Sequence, residues 1–519
     1  MATEFRIPSF QSGINQYNAE GLIKVYEAVD AYNCDITDGA LRSSKAPLTI
    51  LRIKDSVNSL IPFYGDGGQY LMYSSNGKIK PTEVENNTVI VENNKSDRYD
   101  SLNFEYNGNI KTIEVENNTV IVENNKSDRY DSLNFEYNGK KIVVVTNGVD
   151  DVFYWDGKDR HLLLNRRPHY DDNGKLDYYV DANGNQINDE NAITTLAPKG
   201  KFIELHYDRL WISGDPNNPD RVYFSTNGVN GADINDWTVP LADEEEINMH
   251  GGFIDVRSYD GSGIIGMKVV MNYVTIFKSH SAYKVYGSTQ ENYEMVQIFS
   301  SEGAIGDRTI CTGNNGLYFL NRDGIYYYDG TNTTLISSKL NKIFERMNYD
   351  YAELSVGLYS NNRYYLSFPI DGSDINNILV VYNTITGAYM VYNIEGIKDM
   401  VEFDNEVYYS KDNGVYKLFG AKNVMPLKWT TPMYDFGYKN TRKISDRIYF
   451  RGKGTGKVKF TLKTERMEKT LEVELTPEET LYRKRLKGKG RMLQLTIENV
   501  NQSNIEIIAP ALTVELDED

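Results

Sequence analysis

The chain has 519 residues, with 56 Lys and Arg against 73 Asp and Glu, a formal net charge of -17. That balance argues against a protein whose task is to grip a nucleic-acid backbone. A mean hydropathy of -0.52, with no long apolar run, argues against a membrane-spanning segment.

The length exceeds what one core supports, so a large domain and at least one smaller one are expected. Forty Tyr, 41 Gly and 14 Pro give a chain rich in strands and turns. Cys34 and Cys311 are the only cysteines, far apart in sequence, and read as reduced thiols. The opening MATEFRIPSF has no basic stretch followed by an apolar one, so synthesis in the cytoplasm without export is expected.

Residues 1–30 carry no strong pattern and read as an N-terminal arm. Asn33 to Ile36 and Asp38 to Arg42 read as strand, turn, strand. Residues 83–108 and 114–139 are identical, EVENNTVIVENNKSDRYDSLNFEYNG, at an offset of 31. Perfect identity over that length points to a recent tandem duplication or an error in the sequence. The extra copy at about 83–139 is expected as a protruding hairpin or extended edge rather than a further structural repeat.

Residues 141–157, KIVVVTNGVDDVFYWDG, form a strand, a Gly-containing turn, a strand with an aromatic, and a closing Gly. The same unit returns as GLYFLNRDGIYYYDG at 316–330 and as EVYYSKDNGVYKLFG at 406–420. One hairpin cannot bury its own apolar face, so three of them in distant places imply radial repetition. Between them, strands are expected at 209–213, 221–226, 264–271, 273–277, 282–287, 296–300, 363–369, 378–383 and 388–392. Residues 338–347, SKLNKIFERM, are the one convincing helix, with Ser338 as its N-cap and Leu340, Ile343, Phe344 and Met347 on one face. After 424–438 the short aromatic hairpins stop. Longer alternating strands follow at 447–451, 457–464, 469–475, 491–498 and 511–516, with a capping-box turn at Thr476-Pro477-Glu478-Glu479. The fold expected is all-β: a β-propeller over 31–425 and a C-terminal β-sandwich over 430–519.

No motif with a mechanism behind it emerges. His161, His169, His206, His250 and His280 show no metal-ligand spacing, and there is no nucleophile elbow or Walker loop. RGKGTG at 451–456 lies between strands with no helix behind it, so it is not a phosphate cradle. Asp181, Asn183, Asn185 and Asp189 loosely resemble a calcium loop, but Ala192 stands where the closing Glu belongs. No catalytic, cofactor-binding or metal-ligating residue is therefore assigned, no cofactor is expected, and the chain is read as not an enzyme.

The stretch ELHYDRLWISGDPNNPDRVYFS at 204–225 resembles the signature of propeller proteins of tailed-bacteriophage tails, related to the hub or nozzle proteins of short-tailed phages and their packaged-DNA stabilisation proteins. Three further stretches agree: Phe10-Gln11-Ser12-Gly13-Ile14-Asn15 with 33–42, Ser301-Glu302-Gly303-Ala304-Ile305-Gly306 before the hairpin at 316, and 429–437 before the sandwich. The resemblance implies a structural virion protein in the phage tail, assembled with its own copies in a ring, a hexamer, around the DNA channel. Portal-proximal adaptor or other tail proteins would be its partners, and genomic DNA would pass without sequence-specific binding. An acidic lining suits that task because it repels phosphates, whereas a basic one would hold DNA by counterion release. The basic stretches at 439–451 and 483–491 are then expected to meet a neighbouring subunit. The alternatives are a receptor- or glycan-binding tail protein, favoured by the many Tyr, and, behind it, a propeller glycosidase, which would need a carboxylate pair or a Tyr nucleophile.

Overall fold

The computed structural model describes residues 2–16, 23–66, 68–82, 90–91, 105–106, 109–110, 121, 125–171, 173, 175–189, 195–227, 234–238, 250–257, 261–289, 292–299 and 303–517. Among the described residues, seven small sheets, antiparallel except for one short parallel addition to the seventh, stand around an axis as the blades of a β-propeller. Their inner strands are Ser59–Gly65, Asp131–Tyr137, Phe202–His206, Gly266–Val270, Cys311–Gly313, Val356–Ser360 and Asp399–Phe403. Each adjoins the next in that order, and the seventh adjoins the first, so the ring is closed.

Each blade is a meander of hairpins, and the turns are written locally. Asn138-Gly139, Tyr207-Asp208, Met271-Asn272, Asn361-Asn362 and Asp404-Asn405 join the first and second strands of five blades, with φ positive at both positions. That is the backbone of a two-residue turn matched to strand twist, and Asn, Asp and Gly tolerate it best. The unit repeated in the sequence is the hairpin of second and third strands: Gly316–Asn321 with Gly324–Tyr328 in blade 5, Lys140–Thr146 with Phe153–Trp155 in blade 2, and Glu406–Lys411 with Gly414–Lys417 in blade 7. These strands are apolar on both faces, because a blade is covered by a neighbour on each side. Leu317, Phe319, Leu320, Ile325 and Tyr328 are all fully buried, and the Tyr328 hydroxyl donates to the Gly330 carbonyl at 2.7 Å.

Blade 7 is completed from the other end of the chain. Leu48–Arg52 runs antiparallel to Gly414–Lys417, with Gly414 opposite Arg52 and Lys417 opposite Leu48. This pairing ties the ring shut across more than 360 residues of sequence, using one strand's ladder in place of a covalent link. Between blades 2 and 3, Arg166–Tyr170, Leu176–Asp181 and Gln186–Ile187 form a separate three-stranded sheet.

The C-terminal β-sandwich is built on one 22-residue strand, Arg442–Lys463. The sequence reads it as two strands, 447–451 and 457–464, separated by the Gly run. The backbone instead continues through Gly454 and Gly456, both at positive φ, where the strand changes ladder partners. Residues 443–452 pair with Thr480–Gly490, and residues 456–463 pair with Glu468–Leu475. Glycine lets one strand bend from one sheet layer to the other.

Four N-terminal strands belong to this sandwich. Ala2–Arg6 and Leu41–Ser43 pair with Asn504–Asp517, Asp30–Tyr32 pairs with Lys428–Thr430, and Cys34–Asp35 pairs with Leu41–Ser43. The strand, turn, strand at 33–42 therefore adds to the C-terminal sheet and is not the first blade. Its apolar residues Cys34 and Leu41 are buried in the sandwich core with Ala31, Phe5 and Trp429.

The helix expected at 338–347 is shorter. Ser337–Leu340 is a 3-10 turn and Asn341–Phe344 is, among the described residues, the only α-helical turn, with Leu340 in the cap position and no cap from Ser338. Burial of Leu340, Ile343, Phe344 and Met347 is as expected. Four residues suffice to bring that face onto blade 6, where Phe344 stacks on Phe368 at 5.1 Å. The duplicated segment falls mostly outside the described residues. Of the first copy, Ile90–Val91 lies parallel to Leu51–Arg52. Of the second, Asp131–Tyr137 is the inner strand of blade 2.

Candidate functional site

A propeller converges its inner strands on the axis, and here they enclose a cavity of about 580 Å³. All seven blades line it, among them through Pro62, Asp131, Glu204, Lys268, Cys311, Tyr359 and Glu402. Its other charged groups, Arg129, Lys201, Asp307, Arg308 and Asp399, stand at the ends of strands and on the turn before blade 5.

The charges are placed in pairs across blade boundaries. Lys268 of blade 4 holds Glu204 of blade 3, with Nζ 2.7 Å from Oε1. Burial opposes the Lys268 charge, but the carboxylates of Asp131 and Glu204 outweigh it and hold the ammonium above its ordinary value. Arg129 pairs with Asp307. Arg308 reaches farthest. Its Nη1 lies 3.3 Å from Asp399 Oδ1 and donates to the carbonyls of Asn58 and Lys398, both at 2.9 Å, while Nη2 donates to Ser59 Oγ at 2.6 Å. One guanidinium leaving the turn before blade 5 thus fastens blades 1 and 7, the two that meet where the ring closes.

Asp399 is fixed from the other side by the backbone N–H groups of Leu60 at 2.8 Å and Met400 at 3.0 Å. Burial raises its carboxyl above the ordinary value, against the pull of Arg308. Cys311 remains a thiol, pushed up to about 12 by burial. The cavity is a polar, charge-compensated chamber, suited chemically to a polar ligand or to locking the ring.

The residues weighed in the sequence are dispersed. His161 stacks on Tyr154 and His169 on Tyr178, His206 packs at a tilt against Tyr207, and His250 Nδ1 lies 3.2 Å from Arg167 Nη1. Among the described residues, no group of three or more His, Cys, Asp or Glu is placed to hold a metal ion. The loop at Asp181 is a polar turn, in which Oδ1 accepts the N–H of Asn183 at 2.9 Å and of Asn185 at 2.8 Å.

Apart from Glu204, which lines the chamber, the stretch at 204–225 packs within blade 3. Arg209 is fully buried, and its Nη1 donates to the carbonyls of Ser225 at 2.8 Å and His250 at 2.7 Å. Trp211 packs on Phe224 in the core beside it. The axial carboxylates could not be picked from 73 acidic residues in the sequence. The usable signal was phase: Glu204 and Lys268 each stand in the inner strand, just before a tight turn at 207–208 or 271–272.

No family model matches the chain, and no curated protein is similar to it. Solved structures are similar to it at low identity. One is the exo-beta-1,3-galactanase of Phanerochaete chrysosporium with galactose, 10% identical, covering 67% of this chain and 100% of that one, with a TM-score of 0.24. Another is PorZ, a surface component of the type-IX secretion system of Porphyromonas gingivalis, 10% identical over 82% of this chain and 46% of that one, with a TM-score of 0.33. A third is the Pan2 WD40 domain of Neurospora crassa, 6% identical over 72% and 89%, with a TM-score of 0.32. The expectation that the chain is not an enzyme is withdrawn: the axial chamber contains the acidic groups that the sequence did not single out.

Proposed function

We propose that the chain is a structural virion protein of a tailed bacteriophage, a ring-forming component of the tail nozzle or hub that surrounds the DNA channel. The resemblance at 204–225 and its companion stretches motivates the reading, and the separation of charge between the two modules supports it. The segments that build the sandwich, residues 1–47 and 426–519, hold 22 Lys and Arg against 20 Asp and Glu, a net +2, so residues 48–425 carry the remaining -19.

An acidic body with a basic end is complementary to its own copies head to tail, and such a contact closes into a ring when the rotation permits. The strand Thr480–Gly490 gives the basic end a surface. Among the described residues its one ladder partner is the strand Arg442–Lys463, and Arg483, Lys484, Arg485 and Lys487 are exposed along it. The remaining acidic surface would face the channel, where it lets DNA slide. In this reading the ring is a hexamer, with other tail proteins above and below it.

Light scattering on the purified chain tests the assembly. Rings at low salt should fall to monomers as ionic strength rises, and the triple variant Arg483→Glu, Lys484→Glu, Arg485→Glu should stay monomeric while folding normally. A monomer at every salt and concentration, or rings indifferent to the triple variant, would count against the contact.

A further inference from the structure

A second concavity opens between blades 5 and 6, and its chemistry differs from that of the axial chamber. It has a volume of about 340 Å³ and is lined by Asn314, Asn315, Tyr318, Tyr327, Ile336, Tyr359, Asn362, Tyr382, Thr384 and Ile385. No Asp, Glu, Lys or Arg is among the lining residues, although a quarter of the chain is charged. The polar groups are four phenols, three carboxamides and a threonine hydroxyl.

These groups are held in place. Asn314 Nδ2 donates to Asn362 Oδ1 at 2.8 Å, joining the turn of blade 5 to that of blade 6. Thr384 Oγ1 donates to the Asn362 carbonyl at 2.9 Å, and Tyr327 donates to the Asn315 carbonyl at 2.8 Å. The rings are packed together: Tyr318 stacks on Tyr359 at 5.5 Å with 10° between planes, and Tyr327 lies tilted against it at 4.9 Å. Tyr382 is braced by Tyr389 at 4.7 Å. Tyr327, Tyr359 and Tyr382 are half-buried, and Ile385, 77% exposed, forms an apolar lip. Among the described residues, the hydroxyls of Tyr318, Tyr359 and Tyr382 have no hydrogen-bond partner. The phenols lie close enough that each disfavours ionisation of Tyr318, which burial has already raised, so the groove stays neutral.

We propose that this groove between blades 5 and 6 binds a neutral saccharide. A pyranose has an apolar C–H face, which packs on an aromatic ring, and a rim of hydroxyls, which need donors and acceptors side by side; tyrosines and carboxamides supply both. The volume lies at the small end of ligand sites, room for a mono- or disaccharide. A charged ligand would lose its hydration here without an ionic partner. A proline-rich peptide would use the aromatic faces but leave most of the hydroxyls and amides unmatched. The site stands on its own geometry and does not depend on the tail assignment.

The test is saturation-transfer NMR followed by calorimetry on the full chain, using neutral methyl glycosides of glucose, galactose, rhamnose and N-acetylglucosamine and a proline-rich decapeptide. At least one glycoside should receive saturation on its ring protons. Tyr359→Ala and Asn362→Ala should each weaken its binding about tenfold or more. The milder Tyr382→Phe keeps the ring and deletes one hydroxyl, so it should bind measurably more weakly with an unchanged thermal transition. No saturation from any glycoside, affinity indifferent to all three variants, or binding of the peptide in place of the sugars would overturn the assignment.

Discussion

Arg308 and Asp399 meet across the ring, guanidinium Nη1 to carboxylate Oδ1 at 3.3 Å, with side chains only 13% and 10% exposed. The first leaves the turn before blade 5 and the second opens blade 7. A buried pair is costly to break from one side, because the survivor keeps its charge without compensation. Arg308→Ala should therefore destabilise the protein by about 3–5 kcal/mol in denaturant unfolding. A loss below about 1 kcal/mol would mean that the pair is not part of what closes the ring.

The same pair gives a pH dependence of known sign. The Asp399 carboxyl is raised above its ordinary 3.8, so the folded state takes up its proton more readily than the unfolded chain. Its linkage then favours folding below that value and weakens as pH rises through the folded value. Without Arg308 the carboxyl rises further. The penalty of Arg308→Ala should thus be smaller at pH 4.5 than at pH 7.5, measured as the difference in unfolding free energy from the parent chain. An equal penalty at both pH values would show that Asp399 is not the group left uncompensated.

Asn33 fastens the sandwich to blade 6. It stands at φ 56; its Oδ1 accepts the N–H of Asn393 at 3.0 Å and its Nδ2 donates to the Pro426 carbonyl at 2.7 Å. Beside it, Tyr392 donates to the Cys34 carbonyl at 2.9 Å. Asn33→Ala removes both side-chain bonds and puts a β-carbon residue without a local partner at positive φ. It should cost about 1–3 kcal/mol, and Asn33→Gly less than Asn33→Ala. Calorimetry of the two variants checks the order.

How much of this was legible in the sequence depended on how local the cause was. The hairpin of Leu317 to Tyr328 was readable because its turn and its apolar strands lie within a dozen residues. The start of the sandwich was readable from the lengthening of the strands after 438. Leu48–Arg52 as the last strand of blade 7 was not, since a short apolar strand does not specify a partner at Gly414–Lys417. For the same reason Leu41–Ser43 read as part of a blade although it pairs with Asn504–Asp517. The Tyr groove was hidden differently. Forty tyrosines hide four, and only the juxtaposition of the turns at Asn314 and Asn362 selects them.

The duplicated segment yields a deletion. The Ile121 N–H donates to the Ile79 carbonyl at 3.0 Å and the Asn125 N–H to the Gly77 carbonyl at 3.0 Å, so the second copy already borders the outer strand of blade 1. Removing residues 83–113 joins Thr82 to Glu114 and leaves a short hairpin connection in their place. Closing a loop about four times shorter should stabilise the chain by about 1 kcal/mol, less whatever the pairing of Ile90–Val91 contributes. The shortened chain should give the parent circular dichroism and a thermal transition within a few degrees. Failure to fold would mean that the first copy is part of the propeller.

The most direct measurement of the central claim is immuno-gold electron microscopy of intact virions, using antibody against the recombinant chain. The account predicts label on the tail axis, at the nozzle or hub, together with ring-shaped particles of the purified protein. Label on lateral appendages, or no label on the virion, would contradict it.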